Sequence, residues 1–307
     1  MTVQELLHER AELNAKLKLI PYQGTTEIKT IAGKKYLYAR NRVLGKLIST
    51  YIDKYSDELY TLLLKQSSEV KILNKRIRQI NNELAKLNYF DTELSSRVIL
   101  NIDFARINMK SLIYDQAILE GISTTFPQTE TIIDNGEIFG VKPTDVQKIL
   151  NLKHAWEFIL DKDIITAPND YYILCHIAKL VNEGFYEHGG KIRSVPVTIG
   201  GSTYVPPLPI EIDVKEQLQK ITREQISPID IAVNLCLYVM KTQIFNDGNK
   251  RAGVIFANHY LISKGYGLLV IPEKRVSEFK SLLVSYYEGT DTTAIKEFMK
   301  NTCLRQF

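Results

Sequence analysis

The chain has 307 residues, of which 45% are apolar, and this is enough to bury the core of one large domain or two smaller ones. No uncharged apolar stretch approaches the roughly 20 residues of a membrane-spanning helix, and the N-terminus lacks the pattern of a secretion signal. We therefore expect a soluble, cytoplasmic protein with no membrane partner. The formal net charge is +4, but the basic residues are concentrated in the first 90 positions.

The cysteines and histidines show no pattern of a metal site or a disulfide framework. Cys175, Cys236 and Cys303 are odd in number and far apart, so we expect three reduced thiols. The five histidines contain no pair at i, i+4 spacing of the kind that holds zinc on a helix. A histidine-based metal centre is therefore not expected.

The N-terminal part of the sequence predicts helices around a small antiparallel meander. Apolar residues at helical spacing alternate here with β-rich runs, and turns at Ala32-Gly33 and around Gly45 separate the strands. The predicted elements are a helix over 3–18, strands over 27–31, 34–40 and 46–52, and a long helix over 56–88.

The long helix carries a narrow apolar stripe and has Ser56 as a suitable N-cap. Two arrangements would bury the stripe. In the first, which we favour, the helix packs back on its own chain. In the second, it pairs with another copy as a coiled coil, and the protein is a homodimer.

From residue 93 onward helical patterns dominate, and one β-rich segment at 191–207 predicts a β-hairpin around Gly200-Gly201. The predicted fold is therefore mainly α. It consists of an N-terminal part over residues 1–92 and a helical domain with a β-hairpin over 93–307. The predicted helices lie near 93–121, 128–134, 144–160, 169–184, 211–219, 228–242, 248–263 and 274–287.

The strongest chemical signal is the run Phe-Asn-Asp-Gly-Asn-Lys-Arg at 245–251. It breaks an apolar helix, and a new helix begins at Gly248, so the first free amides of that helix can hold an anion. Lys250 adds a point charge, and Arg251 can grip phosphate through two parallel hydrogen bonds. Asp247 supplies the hard oxygen that Mg²⁺ shared with a polyphosphate requires. The predicted phosphate-binding residues are Gly248, Asn249, Lys250 and Arg251, with Asp247 as the metal ligand.

Residues 243–251 resemble the signature of the Fic (Fido) family, His-x-Phe-x-Asp/Glu-Gly-Asn-Gly/Lys-Arg. Every position matches except the first, where Gln243 stands in place of the catalytic histidine. The resemblance covers about residues 95–300 and implies transfer of a nucleoside monophosphate, commonly AMP, to a protein hydroxyl. It also implies ATP or another nucleoside triphosphate with Mg²⁺, Phe245 as the anchor of the motif loop, and a structural role for His176.

Two further segments resemble parts of that family. Glu120-Gly121 is similar to the inhibitory helix, Ser/Thr-x-x-x-Glu-Gly/Asn, although Gln116 departs from its first position. The resemblance implies that Glu120 pairs with Arg251 and blocks the seating of the terminal phosphate, which is autoinhibition. The segment 191–207 resembles the flap that positions the backbone of an unidentified protein target. Its expected docking residues are Val195, Val197 and Ile199.

Gln243 cannot act as a general base, because a carboxamide has no usable protonation equilibrium near neutral pH. The loss of a general base typically lowers the rate about 10²- to 10⁴-fold. Electrostatic interactions with the phosphates and the metal ion often supply the larger share of the rate enhancement. Nucleotide and magnesium binding are therefore predicted more firmly than turnover.

Three functions follow from these patterns. The first is a protein AMP transferase with altered or weakened activity, and the second is a catalytically inactive regulatory protein that senses a nucleotide or binds a partner. The third uses the N-terminal meander, whose cations and aromatic residues alternate as in nucleic-acid binders, although a solvated sheet face is the simpler interpretation. The residues concerned are Lys29, Lys34, Lys35, Tyr36, Tyr38, Arg40, Arg42 and Lys46.

Overall fold

The structure is a computed structural model that describes residues 2–43, 46–89, 93–136 and 138–306. Packing divides the chain into two compact units, Met1–Asp91 and Thr92–Phe307. Among the described helices, none has the length and apolar character that a bilayer crossing requires. The predicted turn at Gly45 lies outside the described residues, as do the predicted boundary residues 91 and 92.

The first unit contains the predicted helix, meander and long helix. Its strands are antiparallel in the order β1-β2-β3. The side chains of Thr2 and Ser56 cap the two helices by accepting a hydrogen bond from the amide three residues further on. The elements are α1 (Val3–Leu19), β1 (Thr25–Ile31), β2 (Lys34–Val43), β3 (Lys46–Lys54) and α2 (Asp57–Lys86).

Helix α2 packs back against α1, as predicted for the intramolecular arrangement. Leu6 of α1 forms a buried cluster with Ile80 and Leu84 of α2. Beside this cluster, Arg76 donates from Nε and Nη2 to the two carboxylate oxygens of Glu9 at 2.6 and 2.7 Å. The apolar stripe of α2 is therefore used within one chain.

The second unit is almost entirely helical. The single helix predicted near 93–121 is two helices, because Asn108 interrupts it and its Nδ2 donates to the carbonyl oxygen of Phe104. The helices are α3 (Ser96–Ile107), α4 (Met109–Leu119), α5 (Phe126–Ile133), α6 (Pro143–Ile159), α7 (Lys162–Ile165), α8 (Tyr171–Val181), α9 (Glu211–Thr222), α10 (Pro228–Thr242), α11 (Asn249–Lys264), α12 (Val276–Glu288) and α13 (Ala294–Phe298).

Several short elements of this unit were not predicted. The strands β4 (Leu268–Leu269) and β5 (Leu304–Arg305) pair antiparallel, a 3₁₀ turn spans Glu273–Arg275, and a π-helical turn spans Met299–Cys303. Elements of two to five residues are too short to produce a recognisable hydrophobic period, and α7 and α13 escaped prediction for the same reason.

Helix α11 is the centre of this unit. Its residues from Arg251 to Ile262 are all buried, so the helix is surrounded by other elements on every side. It lies close to α10, since a Cβ on Gly253 would come within 3.1 Å of the carbonyl oxygen of Cys236. This burial fixes the position of the loop that precedes α11.

The segment 191–207 folds back at Gly200-Gly201, where the Ser202 amide donates to the carbonyl oxygen of Ile199 at 3.2 Å. The predicted turn is therefore present, but the described limbs of the segment form no β-ladder. Pro196, Pro206 and Pro207 remove amide donors that regular strand pairing would need. The limbs are held by side chains instead.

The packing of α1 on α2 gives a stability prediction. Ile80 is fully buried, so Ile80→Ala removes packing and leaves a cavity, and we expect it to lower the free energy of unfolding of this unit by about 2–5 kcal/mol. Denaturant unfolding followed by circular dichroism measures this. The control is Ile72→Ala on the same helix, where the side chain is 66% exposed and little change is expected. Equal losses in the two variants would contradict the packing described here.

Candidate functional site

The motif loop joins α10 to α11 through two left-handed backbone positions. Gln243 ends α10 with φ 49° and ψ 60°, and Gly248 precedes α11 with φ 75°. A Cβ at position 248 would lie 2.9 Å from Asn182 Oδ1 and 3.1 Å from Val181 Cγ2. Glycine is required there both for its backbone conformation and for this close approach.

The interior of the loop is held by Asn249. Its Oδ1 accepts from the amide of Phe245 at 3.0 Å, and its Nδ2 donates to the carbonyl oxygen of Phe245 at 2.7 Å. The ring of Phe245 is fully buried, as an anchor of the loop requires. The side chain of Asn249 is thus used inside the loop, so its backbone amide is the group that it can offer to an anion.

Both ends of the Gln243 carboxamide are also engaged within the loop. Nε2 donates to the carbonyl oxygen of Met240 at 2.6 Å, and Oε1 accepts from Asn249 Nδ2 at 3.1 Å. The side chain therefore connects the end of α10 to the start of α11. It stabilises the loop and provides no base.

Arg251 is the third residue of α11, and its side chain is 2% exposed. Nη1 donates to the carbonyl oxygen of Val181 at 2.7 Å, and Nη2 donates to Asp247 Oδ2 at 2.9 Å and to Asn182 Oδ1 at 3.4 Å. The guanidinium therefore joins the end of α8 to the motif loop. Its Nε has no hydrogen-bond partner among the described residues.

Glu120, at the end of α4, faces this unpartnered nitrogen. Glu120 Oε2 lies 3.7 Å from Arg251 Nε, and Oε1 lies 4.0 Å from Lys250 Nζ. The predicted partners are therefore brought together, at ion-pair rather than hydrogen-bond distance. One turn earlier, Gln116 Nε2 donates to the carbonyl oxygen of Arg251 at 2.9 Å and Gln116 Oε1 accepts from Trp156 Nε1. This glutamine fixes α4 against the start of α11.

A cavity of about 370 Å³ lies beside the loop. Gln243 and Lys250 line it from the loop, and residues 198–200 line it from the turn of the flap segment. Helix α12 completes the wall with one cation and an apolar surface. Its lining residues are Lys280, Leu283, Val284 and Tyr287. A lining that contains both basic and apolar groups suits a ligand with an anionic and an aromatic part.

Arg193 fastens the flap segment to the motif loop. It is 2% exposed, and burial lowers the pKa of its guanidinium. Nε donates to the carbonyl oxygen of Gln243 at 2.5 Å, while Nη1 and Nη2 donate to the carbonyl oxygens of Val195 and Pro207 at 2.8 and 2.5 Å. One side chain therefore holds both limbs of the flap and the end of α10.

The tip of the flap is fixed to the end of α12. Glu288 Oε1 accepts from the amide of Thr203 at 2.8 Å and from the hydroxyls of Thr203 and Ser202 at 3.1 Å. These bonds, chiefly the one from the amide, lower the pKa of Glu288. Of the expected docking residues, Val195 is exposed and Val197 and Ile199 are half-buried. Ile199 also lines the cavity.

Asp247 fits a role in binding a divalent cation. Its carboxylate is about half exposed, and its Oδ2 is taken by Arg251, which leaves Oδ1 for a metal ion. The described residues contain no cluster of three or more metal-ligating side chains. Mg²⁺ is commonly held by one or two carboxylates and the phosphates of its ligand, so a single aspartate is a sufficient protein contribution.

The cysteines and His176 lie in surroundings that favour structural roles over catalytic ones. The three cysteines are free thiols, as expected. Burial raises the pKa of Cys175 to about 11 and that of Cys303 to about 12, so both stay protonated near neutral pH and react poorly. The ring of His176 stacks on Phe158 with centroids 4.2 Å apart, in keeping with a structural role.

Sequence reasoning missed three residues of the site. Asn182 donates from Nδ2 to the carbonyl oxygen of Asp247 at 3.0 Å and so helps to shape the loop from α8. Arg193 and Lys280 were missed as well. Asn182 and Arg193 lie 50 or more residues before the motif and Lys280 lies 29 residues after it, so no short-range pattern could have found them.

Comparison with known sequences gives two matches to families. Residues 168–261 match the Fic/DOC family, and residues 3–61 match a family described as a domain of unknown function (DUF6788). Two proteins named Protein adenylyltransferase Fic, from Drosophila grimshawi and Drosophila mojavensis, are 25% and 24% identical to this chain over 193 and 191 residues. Each alignment covers 58% of this chain but only 38% and 36% of those longer proteins.

Three solved structures share the fold at low sequence identity. A Fic family protein from Desulfovibrio desulfuricans has a TM-score of 0.54 at 17% identity, covering 69% of this chain and 73% of its own. A Fic domain containing signaling protein from Bacteroides thetaiotaomicron has a TM-score of 0.53 at 17% identity, covering 73% and 89%. Fic-1 from C. elegans has a TM-score of 0.52 at 19% identity, covering 80% and 74%.

The family match includes the motif loop, α8 and the flap segment, and the fold agrees with it. Residues 168–261 of this chain therefore match the Fic/DOC family, and the helical unit shares the fold of Fic structures.

Proposed function

We propose that this protein binds a nucleoside triphosphate such as ATP together with Mg²⁺ and transfers the AMP group of ATP weakly to a protein hydroxyl. The observation that carries this proposal is the buried Arg251. Its charge is balanced by Asp247 at 2.9 Å and by the more distant Glu120, while its Nε has no hydrogen-bond partner among the described residues. A buried guanidinium is costly to desolvate, and a phosphate oxygen would complete its hydrogen bonding.

The neighbouring cavity supports a nucleotide as the ligand. Lys250 and Lys280 would neutralise phosphate charge, while Leu283, Val284 and Tyr287 offer an apolar surface to the base. The free amides at the start of α11 add positive potential at the same place. Mg²⁺, when bound through Asp247, would offset charge on the phosphates.

The transfer step would join the acceptor hydroxyl oxygen to the α-phosphorus. The bond from that phosphorus to the β-phosphate oxygen breaks, and pyrophosphate leaves. The hydroxyl proton must go to solvent or to a phosphate oxygen, because the Gln243 carboxamide cannot take it and is already bonded at both ends. This is why we propose weakened rather than full activity.

Glu120 is proposed to restrain the site. It lies between Arg251 and Lys250, so its carboxylate would compete with the terminal phosphate for both cations. A phosphate with more charge and more hydrogen-bond acceptors can displace it at a cost in affinity. Removal of this carboxylate should therefore strengthen nucleotide binding and any transfer.

A second candidate function is nucleotide-dependent binding of a partner without turnover. The engagement of both ends of the Gln243 carboxamide favours it, because the loop is held in place by a residue that cannot do acid–base chemistry. In this case the flap fastened by Arg193 would present its exposed limb to a protein partner.

Transfer of label from ATP to protein tests the proposed activity. Purified protein is incubated with Mg²⁺ and α-labelled ATP, and label bound to protein is counted for the unmodified chain and for the Glu120→Gly, Gln243→His and doubly substituted chains. We expect Glu120→Gly to raise incorporation and Gln243→His to raise it further, by about 10²- to 10⁴-fold, because a general base is restored.

Arg251→Ala in the doubly substituted chain is the matched loss-of-function control, and its folding is checked by circular dichroism. Label that appears only in chains carrying histidine would favour the binding protein over the enzyme. An absence of label in every variant, with the fold intact, would contradict a transferase site altogether.

The hydrogen bonds of Arg193 should stabilise the flap segment against unfolding and proteolysis. Arg193→Met removes the donors to several buried carbonyl oxygens. We expect it to lower the free energy of unfolding by about 1–3 kcal/mol and to speed proteolysis within 191–207. Limited proteolysis followed by mass spectrometry locates the cleavage. Lys191→Met, two positions earlier at an exposed site, is the control. Equal cleavage in the two variants would show that Arg193 does not fasten the flap.

A further inference from the structure

The N-terminal sheet has two faces of different character. Leu37 and Ala39 of β2 are buried, and α2 packs against the adjacent strand β1, so the face that carries these residues belongs to the core of the unit. Side chains alternate along a strand, which places Tyr36, Tyr38 and Arg40 on the opposite face. Antiparallel pairing adds Lys29 from β1, opposite Tyr36, and Tyr51 from β3, opposite Tyr38.

This opposite face, called here the tyrosine face, is rich in cations. Its described cations are Lys29, Lys34, Arg40 and Lys54, and the two carboxylates beside them are those of Glu27 and Asp53. Glu27 lies 3.7 Å from Lys29 and offsets part of its charge, whereas Lys34, Arg40 and Lys54 are exposed at other points of the face. The tyrosine face consists of Lys29, Lys34, Tyr36, Tyr38, Arg40, Tyr51 and Lys54.

The tyrosine rings form an ordered layer on this face. Tyr38 and Tyr51 meet edge to face with centroids 5.6 Å apart, and Tyr36 lies 6.2 Å from Tyr51. Lys29 Nζ is 4.3 Å from the centre of the Tyr38 ring and donates to Ser49 Oγ at 2.8 Å. Partial burial, and next the carboxylate of Asp53, raise the pKa of Tyr51, whose hydroxyl donates to that carboxylate.

The packing of the tyrosine rings and the form of the paired strands indicate which kind of nucleic acid fits this face. A single strand is held by stacking of its bases on free ring faces, but here the rings pack on one another and Lys29 covers Tyr38. The major groove of B-form DNA, about 12 Å wide, admits a two-stranded β-ribbon, and the β1–β2 pair that carries Lys29, Lys34 and Arg40 has this form. The corresponding groove of double-stranded RNA is narrow and inaccessible.

We propose that the tyrosine face of the N-terminal sheet binds double-stranded DNA, with its lysines, arginine and tyrosine hydroxyls on the phosphates along the major groove. The face carries more cations than carboxylates, and its residues Lys34, Arg40, Tyr51 and Lys54 are exposed in this structure. The proposal is independent of the nucleotide site on the helical unit.

The test is fluorescence anisotropy of a labelled duplex of mixed sequence, titrated with the full-length chain over a series of salt concentrations. We expect saturable binding that weakens steeply with salt. Lys34→Ala combined with Arg40→Ala should weaken binding about 10-fold or more and reduce the salt slope by about 2, because two phosphate contacts are lost.

The matched control combines Lys65→Ala with Lys71→Ala, which removes the same charge from exposed positions of α2 in the same unit. The proposal holds if the tyrosine-face pair loses affinity and the control pair does not. It is overturned if the two pairs lose affinity equally, if a single strand of the same length binds more tightly than the duplex, or if no saturable binding occurs at low salt.

Discussion

The burial of the Arg251 guanidinium is the interaction on which the rest of the site depends. A charge in that position must be balanced by oxygens from several elements, and here they come from the end of α8, the motif loop and the end of α4. This requirement explains why Asn182 sits against Gly248, and why residue 248 can carry no side chain. Gln116 holds α4, which ends at Glu120, against the first turn of α11.

The loop around this charge is stabilised largely by its own side chains. Asn249 closes it from within, and Gln243 connects the two helices that flank it. A glutamine can therefore replace the histidine of the Fic signature while the left-handed end of α10 and the start of α11 keep their geometry. In the proposed function, anion binding and proton transfer are separable, because the first would depend on helix amides and cations and the second on a single titratable group.

The long helices and the motif loop could be predicted from the sequence because their signals are local. The stripe of α2, the cap at Ser56 and the run at 245–251 each lie within a short window. The break at Asn108 left no such signal, since an asparagine within a helical pattern often points to solvent. The flap turn was visible in its two glycines, but its missing strand pairing depends on prolines and on the distant contacts of Arg193. Asn182 and Lys280 reach the site only through tertiary packing.

The most direct measurement is calorimetric titration of ATP with Mg²⁺ into the unmodified chain, Glu120→Gly, and Glu120→Gly combined with Arg251→Lys. If Arg251 is the phosphate-binding group and Glu120 its competitor, Glu120→Gly should bind ATP more tightly than the unmodified chain. The added Arg251→Lys should then weaken ATP binding about 10-fold or more, because a lysine cannot make bidentate hydrogen bonds to a phosphate. Equal dissociation constants for all three proteins would contradict the central role of Arg251.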